Sequence, residues 1–227
     1  MFGFSPRESQ HLFTLFGFPV AANLGAALLL VLVLFFFGSG GPQQMTMAVF
    51  LVLSIFFGVL FHELGHAIAV KRLGYGTSQI LFTGLGGLTM WRGAPTPKHT
   101  IWIAAAGPIA SLVLAGASYG AWSLVGALSW ELALVRQFLW VFMILNLIWG
   151  VFNLLPVYPM DGGKILRAAL RRRLGAHEAT RRSLIVSATL GVALLVWSAI
   201  SGQMFIGIVI AFLLLQNWNE WSSLQRR

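Results

Sequence analysis

The sequence predicts an all-α polytopic membrane protein, with about six transmembrane helices and a small membrane-embedded β-hairpin or sheet beside its functional site. Two observations carry this. Of 227 residues, 58% are hydrophobic and 9% charged, and the mean hydropathy is +0.82. A soluble domain carries roughly 25% charged residues, so this chain cannot cover a water-facing surface. The apolar residues also fall into runs of about bilayer length.

Those runs lie at about 20–38, 46–70, 100–126, 136–155, 183–200 and 203–218. The last two are separated by little more than Ser201–Gly202–Gln203, which reads as a tight helical hairpin. Six spans use most of the chain, so residues 1–227 read as a single domain. Charge gives the orientation. The net charge is +9, from 15 Lys and Arg against 6 Asp and Glu. If the N-terminus is cytoplasmic, segments 1–19, 71–99, 156–182 and 219–227 hold every basic residue except Arg136. This bias puts both termini in the cytoplasm and explains the charge without nucleic acid as a partner. No cleavable signal peptide is expected, because Arg7 is balanced by Glu8 and the first apolar run leads into another.

Segment 74–98 breaks the helical pattern. It carries Gly74, Gly76, Gly84, Gly86, Gly87, Gly93, Pro95 and Pro97, with short apolar or β-friendly stretches at Ile80–Thr83 and Leu88–Trp91. It reads as a hairpin dipping into the membrane face. Residues His11–Val20 add a further strand or lie in the interface. Backbone of this kind survives at membrane depth only when protein covers it or it lines a wet cavity.

The absence of cysteine excludes disulfides, thiol nucleophiles, thiolate zinc sites and cysteine-held iron–sulfur clusters. The six acidic residues are Glu8, Glu63, Glu131, Asp161, Glu178 and Glu220. Glu63 lies inside a span, where a carboxylate is costly and marks a functional site. It sits in His62–Glu63–Leu64–Gly65–His66, an H-E-x-x-H pattern on an expected helix. Residues four apart share a helical face, so His62 and His66 can grip one metal ion. Glu63 then stands beside the open coordination position, where it can accept a proton from activated water. The structural alternative is a pair of packing histidines, and three ionisable groups on one membrane helix weigh against it.

A catalytic zinc site wants a third protein ligand. The candidates are Asp161, His99, His177, Glu178 and Glu131. Asp161 follows the cytoplasmic end of the fourth span and reaches the depth of the histidines. His99 starts the third span on the same side and stays open as an alternative. Glu131 falls on the opposite side, and His177 and Glu178 read as a solvated pair in a basic loop. Around Asp161, Pro156 and Pro159 end the helix. Gly162 and Gly163 then allow a sharp turn that aims the carboxylate back. Two further patterns read as packing. Gly116–Ala–Ser118–Tyr–Gly120 fits G-x-S-x-G but lies mid-span, so it serves as a close-packing face. Asn146 reads as interhelical glue.

His62–Glu63–Leu64–Gly65–His66 followed by Asn153-x-x-Pro156-x-x-x-x-Asp161–Gly162 resembles the site-2 protease family of intramembrane metalloproteases. Gly86–Trp91 and Ala106–Gly107–Pro108 are similar to that family too, and the resemblance covers residues 11–165, with the 183–218 hairpin as an addition. It implies zinc (Zn2+) held by His62, His66 and Asp161, with Glu63 as general base. Asn153 would sit beside the substrate, and Gly86, Gly87, Leu88, Thr89 and Met90 would offer a strand edge to an unwound substrate segment. The implied activity is hydrolysis of a peptide bond in or near a transmembrane segment of a membrane-tethered protein, as in regulated intramembrane proteolysis. It implies a prokaryotic plasma membrane, with the active site toward the cytoplasm and the lipid bilayer as a standing partner. Ser111 stands where the family often has asparagine, which leaves a polar role there open. No PDZ domain and no C-terminal nucleotide-sensing domain are expected in this chain. The competing readings are a zinc peptidase cutting unfolded chains at the cytoplasmic face and a non-catalytic zinc-containing scaffold. A transporter would need polar groups in both halves, and the last two spans read as carrying almost none.

Overall fold

The computed structural model describes residues 9–76, 78–84, 86–128 and 132–226. Arg7, Glu8, Glu131 and Arg227, used in the arguments above, lie outside the described residues. In chain order the elements are β1 (Gln10–Leu15), β2 (Phe18–Ala22), α1 (Leu24–Gly38), α2 (Pro42–Arg72), β3 (Gln79–Thr83), β4 (Gly86–Met90), α3 (Pro97–Leu128), α4 (Ala133–Asn153), α5 (Asp161–Arg171), α6 (Ala176–Ile200) and α7 (Met204–Gln225). They group into two compact units, residues 2–93 with 106–151 and residues 94–105 with 152–227.

In the first unit, α1 starts where Asn23 caps it, its side chain accepting from the Ala26 N–H at 3.1 Å. Proline at the first position opens α2. Its 31 residues make it about 46 Å long, and it ends in Lys71 and Arg72, where cations suit the helix dipole. Gly74 then takes φ +79°, and the Tyr75 N–H closes the end on the Val70 carbonyl at 3.1 Å. The sheet order is β1-β2-β3-β4. Strands β1 and β2 form an antiparallel hairpin whose turn residues, Phe16 and Gly17, both have positive φ (50° and 83°). Strand β2 pairs parallel with β3, Val20 opposite Ile80 and Ala22 opposite Phe82. Strand β4 runs antiparallel to β3, from Gln79 opposite Met90 to Thr83 opposite Gly86. Alternate residues Phe18, Val20, Ile80 and Phe82 join Val59, Leu60, Leu64 and Ala67 of α2 in one core. Period-two strand faces thus meet the stripe of a helix.

In the second unit, α6 and α7 form the expected hairpin, with Gly202 at φ 68° in its turn. Gly191 permits their close approach: a Cβ there would lie 2.6 Å from Leu214 Cδ2.

Several expectations change. Among the described residues, four helices are long and apolar enough to span a membrane: Pro42–Arg72, Pro97–Gly126, Ala133–Asn153 and Ala176–Ile200. The expected first span is shorter, because residues 20–22 belong to β2 and leave α1 only 15 residues. At about 22 Å it falls short of a hydrocarbon core of about 30 Å. The expected sixth span corresponds to α7, whose second half, from Gln216 on, is mostly polar. The hairpin grows into a four-stranded sheet because the N-terminal segment supplies two strands, not one. Residues 156–182 contain the helix α5 as well as loops.

Helices α2 and α3 meet at Gly65. A Cβ there would lie 2.5 Å from the Ala106 carbonyl oxygen and 2.9 Å from Ala110 Cβ. Gly65→Ala is expected to cost about 1–3 kcal/mol through overpacking, read as a lower thermal midpoint in detergent. An unchanged midpoint would show that the two helices part without cost.

Candidate metal site

His62, Glu63 and His66 occupy the last turns of α2 and are 3%, 6% and 6% exposed. The four-residue spacing stacks the imidazoles on one face, with ring centroids 4.9 Å apart at 80°. Their Nε2 atoms face each other at 3.2 Å. Two nitrogen ligands about 2.0–2.1 Å from a tetrahedral zinc stand roughly 3.4 Å apart, so this separation is that of two corners of such a site. The opposite nitrogen of His62, Nδ1, pairs with the Ser111 hydroxyl at 3.0 Å, and Ser111 is fully buried. A proton on Nδ1, donated to Ser111, leaves the Nε2 lone pair for a metal. Space for the ion comes from Gly107. A Cβ there would lie 2.7 Å from His62 Nε2 and would also collide with His66 Nε2. Only a residue without a side chain keeps the converging nitrogens clear, so the donor set and the cradle both fit a small transition-metal cation.

Glu63, one residue on, points to the neighbouring face of α2 and meets β4. The Thr89 hydroxyl donates to Glu63 Oε2 at 2.7 Å and lies 3.0 Å from the Glu63 main-chain oxygen. Gly87 again makes room, since a Cβ there would lie 2.7 Å from Glu63 Oε1. The expected substrate strand Gly86–Met90 is the end strand of the sheet. Its residues do not act alike. Leu88 is 47% exposed, whereas Thr89 is buried against Glu63.

Asp161 belongs to the second unit and is the first residue of α5. It is buried, stands at the positive end of the helix and accepts from Lys164 Nζ at 2.9 Å. Gly162 and Gly163 are not the expected turn. They lie inside the first turn of α5, where a Cβ on Gly162 would strike the Leu154 and Leu155 carbonyls and one on Gly163 would lie 2.8 Å from the Val157 oxygen. They serve close approach of the preceding loop to the helix. That loop is held from behind. The Tyr158 N–H donates to Ser187 Oγ at 2.8 Å, and Asn217 Nδ2 donates to the same hydroxyl at 2.6 Å. The Arg167 guanidinium lies 4.9 Å from the Tyr158 ring centre and pairs with Glu220 at 2.9 Å. Burial, reinforced by the Glu220 carboxylate, pushes the Tyr158 hydroxyl above its ordinary value. The expectation that the last two helices carry almost no polar groups is corrected here. Ser183, Ser187 and Asn217 are buried polar residues in them. Their spacing of four on α6 was the available signal, but the partner on α7 was not legible.

Asn153 is the last residue of α4 and half-buried. His99 lies in the first turns of α3 and is half-buried. His177 is exposed, and Glu178 is occupied by Arg182 at 2.7 Å and Arg181 at 3.3 Å, as a solvated cluster should be. Ser118 spends its hydroxyl on the Leu114 carbonyl at 2.7 Å, so no nucleophile is poised there. The close-packing role expected for Gly116 and Gly120 is not met among the described residues, where a Cβ at either would meet nothing within 4 Å. Asn146 packs at Gly58 of α2 but spends its amide on its own helix, at Phe142 O, 2.8 Å away.

Ser111→Ala is expected to leave the fold intact and weaken Zn2+ binding about ten- to a hundred-fold, read by competition with a chelating dye. Equal affinity in the variant would remove Ser111 from the metal site.

Comparison with known proteins places this geometry. Residues 50–130 and 121–198 match the family model of peptidase family M50. A zinc metalloprotease of Methanocaldococcus jannaschii is 29% identical over 217 residues, 90% of this chain and 58% of the relative. Rip3 of Mycobacterium tuberculosis is 36% identical over 185 residues, 78% of this chain and 43% of the relative. The chain therefore spans about half the length of these two curated relatives. A solved site-2 protease from Methanocaldococcus jannaschii superposes with a TM-score of 0.63 at 25% identity, over 93% of this chain and 94% of that one. A family match over well more than half of the sequence, joined to a shared fold, places this protein in peptidase family M50, among the site-2 proteases.

Proposed function

We propose that the protein is a zinc-dependent intramembrane endopeptidase, hydrolysing a peptide bond in or near the transmembrane segment of a membrane-tethered protein. The observation that carries this is a buried glutamate, Glu63, its carboxylate fixed by β4, on the same turns of α2 as the converging Nε2 atoms of His62 and His66. A purely structural zinc site is closed and needs no base. His62, His66 and Asp161 would hold the metal, being buried donors of the types zinc accepts. Zinc supplies Lewis acidity there, making water acidic near neutral pH and polarising the scissile carbonyl.

The chain's own residues do the rest. Glu63 accepts the proton of the attacking water and returns it to the leaving amine. A helical substrate hides its carbonyls in its own hydrogen bonds, so the segment must unwind before it is cut. The free edge of β4, through Gly86, Gly87, Leu88 and Met90, replaces those bonds by strand addition. Asn153 binds substrate backbone. The charge pattern supports cytoplasmic termini, water entry from the cytoplasmic face and a prokaryotic plasma membrane as the setting. The whole chain acts as one protease domain, and the cleavage belongs to regulated intramembrane proteolysis.

Zinc analysis of the detergent-purified protein tests this. One zinc per chain is expected in the wild type and in Glu63→Gln, with loss in His62→Ala and in Asp161→Ala. Cleavage of a single-span peptide in micelles should fall at least about a hundred-fold in Glu63→Gln. Full zinc in Asp161→Ala would move the third ligand elsewhere, with His99 tested next. Cleavage of an unfolded soluble chain in preference to the single-span peptide would favour a peptidase working at the membrane face. No zinc in the wild type, even after supply, would sink the protease reading.

A further inference from the structure

Strand β4 does more than border the site. Along it, residues alternate in direction: Leu88 faces outward and is 47% exposed, while Gly87 and Thr89 both face Glu63. Gly87 has no side chain at the point where Glu63 Oε1 packs, the Cβ position being 2.7 Å from that oxygen. Thr89 carries a hydroxyl 2.7 Å from Oε2. The two carboxylate oxygens are therefore treated differently. Oε2 is taken by a donor, and Oε1 is left beside a glycine. The same hydroxyl lies 3.0 Å from the main-chain oxygen of Glu63, so Thr89 is tied to the helix backbone as well as to the carboxylate. Thr89 is 5% exposed.

We propose that Thr89 is a positioning residue for proton transfer: its hydroxyl holds Glu63 Oε2, turns the carboxylate so that Oε1 is the accepting oxygen, and thereby makes the substrate-docking strand also the seat of the base. This rests on the metalloprotease reading and deepens it. A carboxylate on three rotatable side-chain bonds presents either oxygen in many orientations, whereas a hydrogen bond to a charged oxygen in a buried site holds one. A substrate segment adding to β4 presses on the strand that fixes the base, so docking and base alignment depend on one element.

The test compares Thr89→Val, which keeps the shape and loses the hydroxyl, with Thr89→Ser, which keeps the hydroxyl. Three quantities are read on the full chain in micelles: kcat and KM for a labelled single-span peptide, zinc per chain, and the Kd of a peptide hydroxamate, whose hydroxyl proton passes to the base. In Thr89→Val, kcat should fall about ten- to a hundred-fold, with KM and zinc content held and hydroxamate binding several-fold weaker. Thr89→Ser should recover most of the loss. A loss confined to KM would make Thr89 a substrate contact and overturn the proposal. So would unchanged kcat and Kd in Thr89→Val, or zinc loss and a lowered thermal midpoint in both variants. Glu63→Gln separates the two levels. If it still cleaves, the base assignment itself fails. If it is dead while Thr89→Val is unaffected, only the role of Thr89 fails.

Discussion

Keeping a glutamate and two histidines dry inside an apolar chain is the constraint that the neighbouring structure answers. An ionisable side chain taken from water costs several kcal/mol unless its polar atoms find partners. Each group on α2 has one. Glu63 has Thr89, and the outer nitrogen of His62 has Ser111. The inner nitrogens of the two histidines face each other across the space cleared by Gly107. Asp161, in the other unit, meets the same requirement with Lys164 and the start of α5. The partners are two short hydroxyls, one lysine and the histidines themselves, with Gly107 clearing the space between the nitrogens.

Glycine is used here mostly for approach rather than for unusual backbone angles. Gly65, Gly87, Gly107 and Gly162 each stand where a methyl group would collide with backbone or with a site side chain. Close approach of this kind is how membrane proteins gain packing energy when lipid removes most of the hydrophobic drive. The metal-side residues and the scaffold are therefore not separable. Gly65 brings α3 against α2 at Ala106 and Ala110, the residues that immediately precede Gly107 and Ser111.

Much of this was legible in the sequence, for reasons that can be stated. A period of four on a helix displays itself, so His62 and His66 are visible as a pair without any knowledge of the fold. Asp161 stands out because aspartate is so scarce. The Thr89–Glu63 contact was not visible. It joins positions 26 apart in sequence, and a Gly-x-Thr in a strand announces only that something small faces inward. The strands at Gln10–Leu15 and Phe18–Ala22 were partly hidden because one apolar run passes through β2 into α1, and hydrophobicity alone does not separate a buried strand from a span. Gly162 and Gly163 misled for a related reason. Glycines after prolines read as a turn, yet here they let a helix begin flush against the loop before it. The polar backing of that loop pairs Ser187 with Asn217, 30 residues apart.

The parallel pairing of β2 with β3 carries a topological consequence. β2 immediately precedes α1 and β3 shortly follows α2, yet the strands lie side by side in the same direction. The chain leaves the sheet through one helix and returns through the next, so the start of α1 and the histidine-bearing end of α2 are tied to one compartment. This ties the two ends through hydrogen bonds, independently of any count of charges. A label that reaches the β1–β2 hairpin from one side of the bilayer therefore also reports the side on which the end of α2 lies.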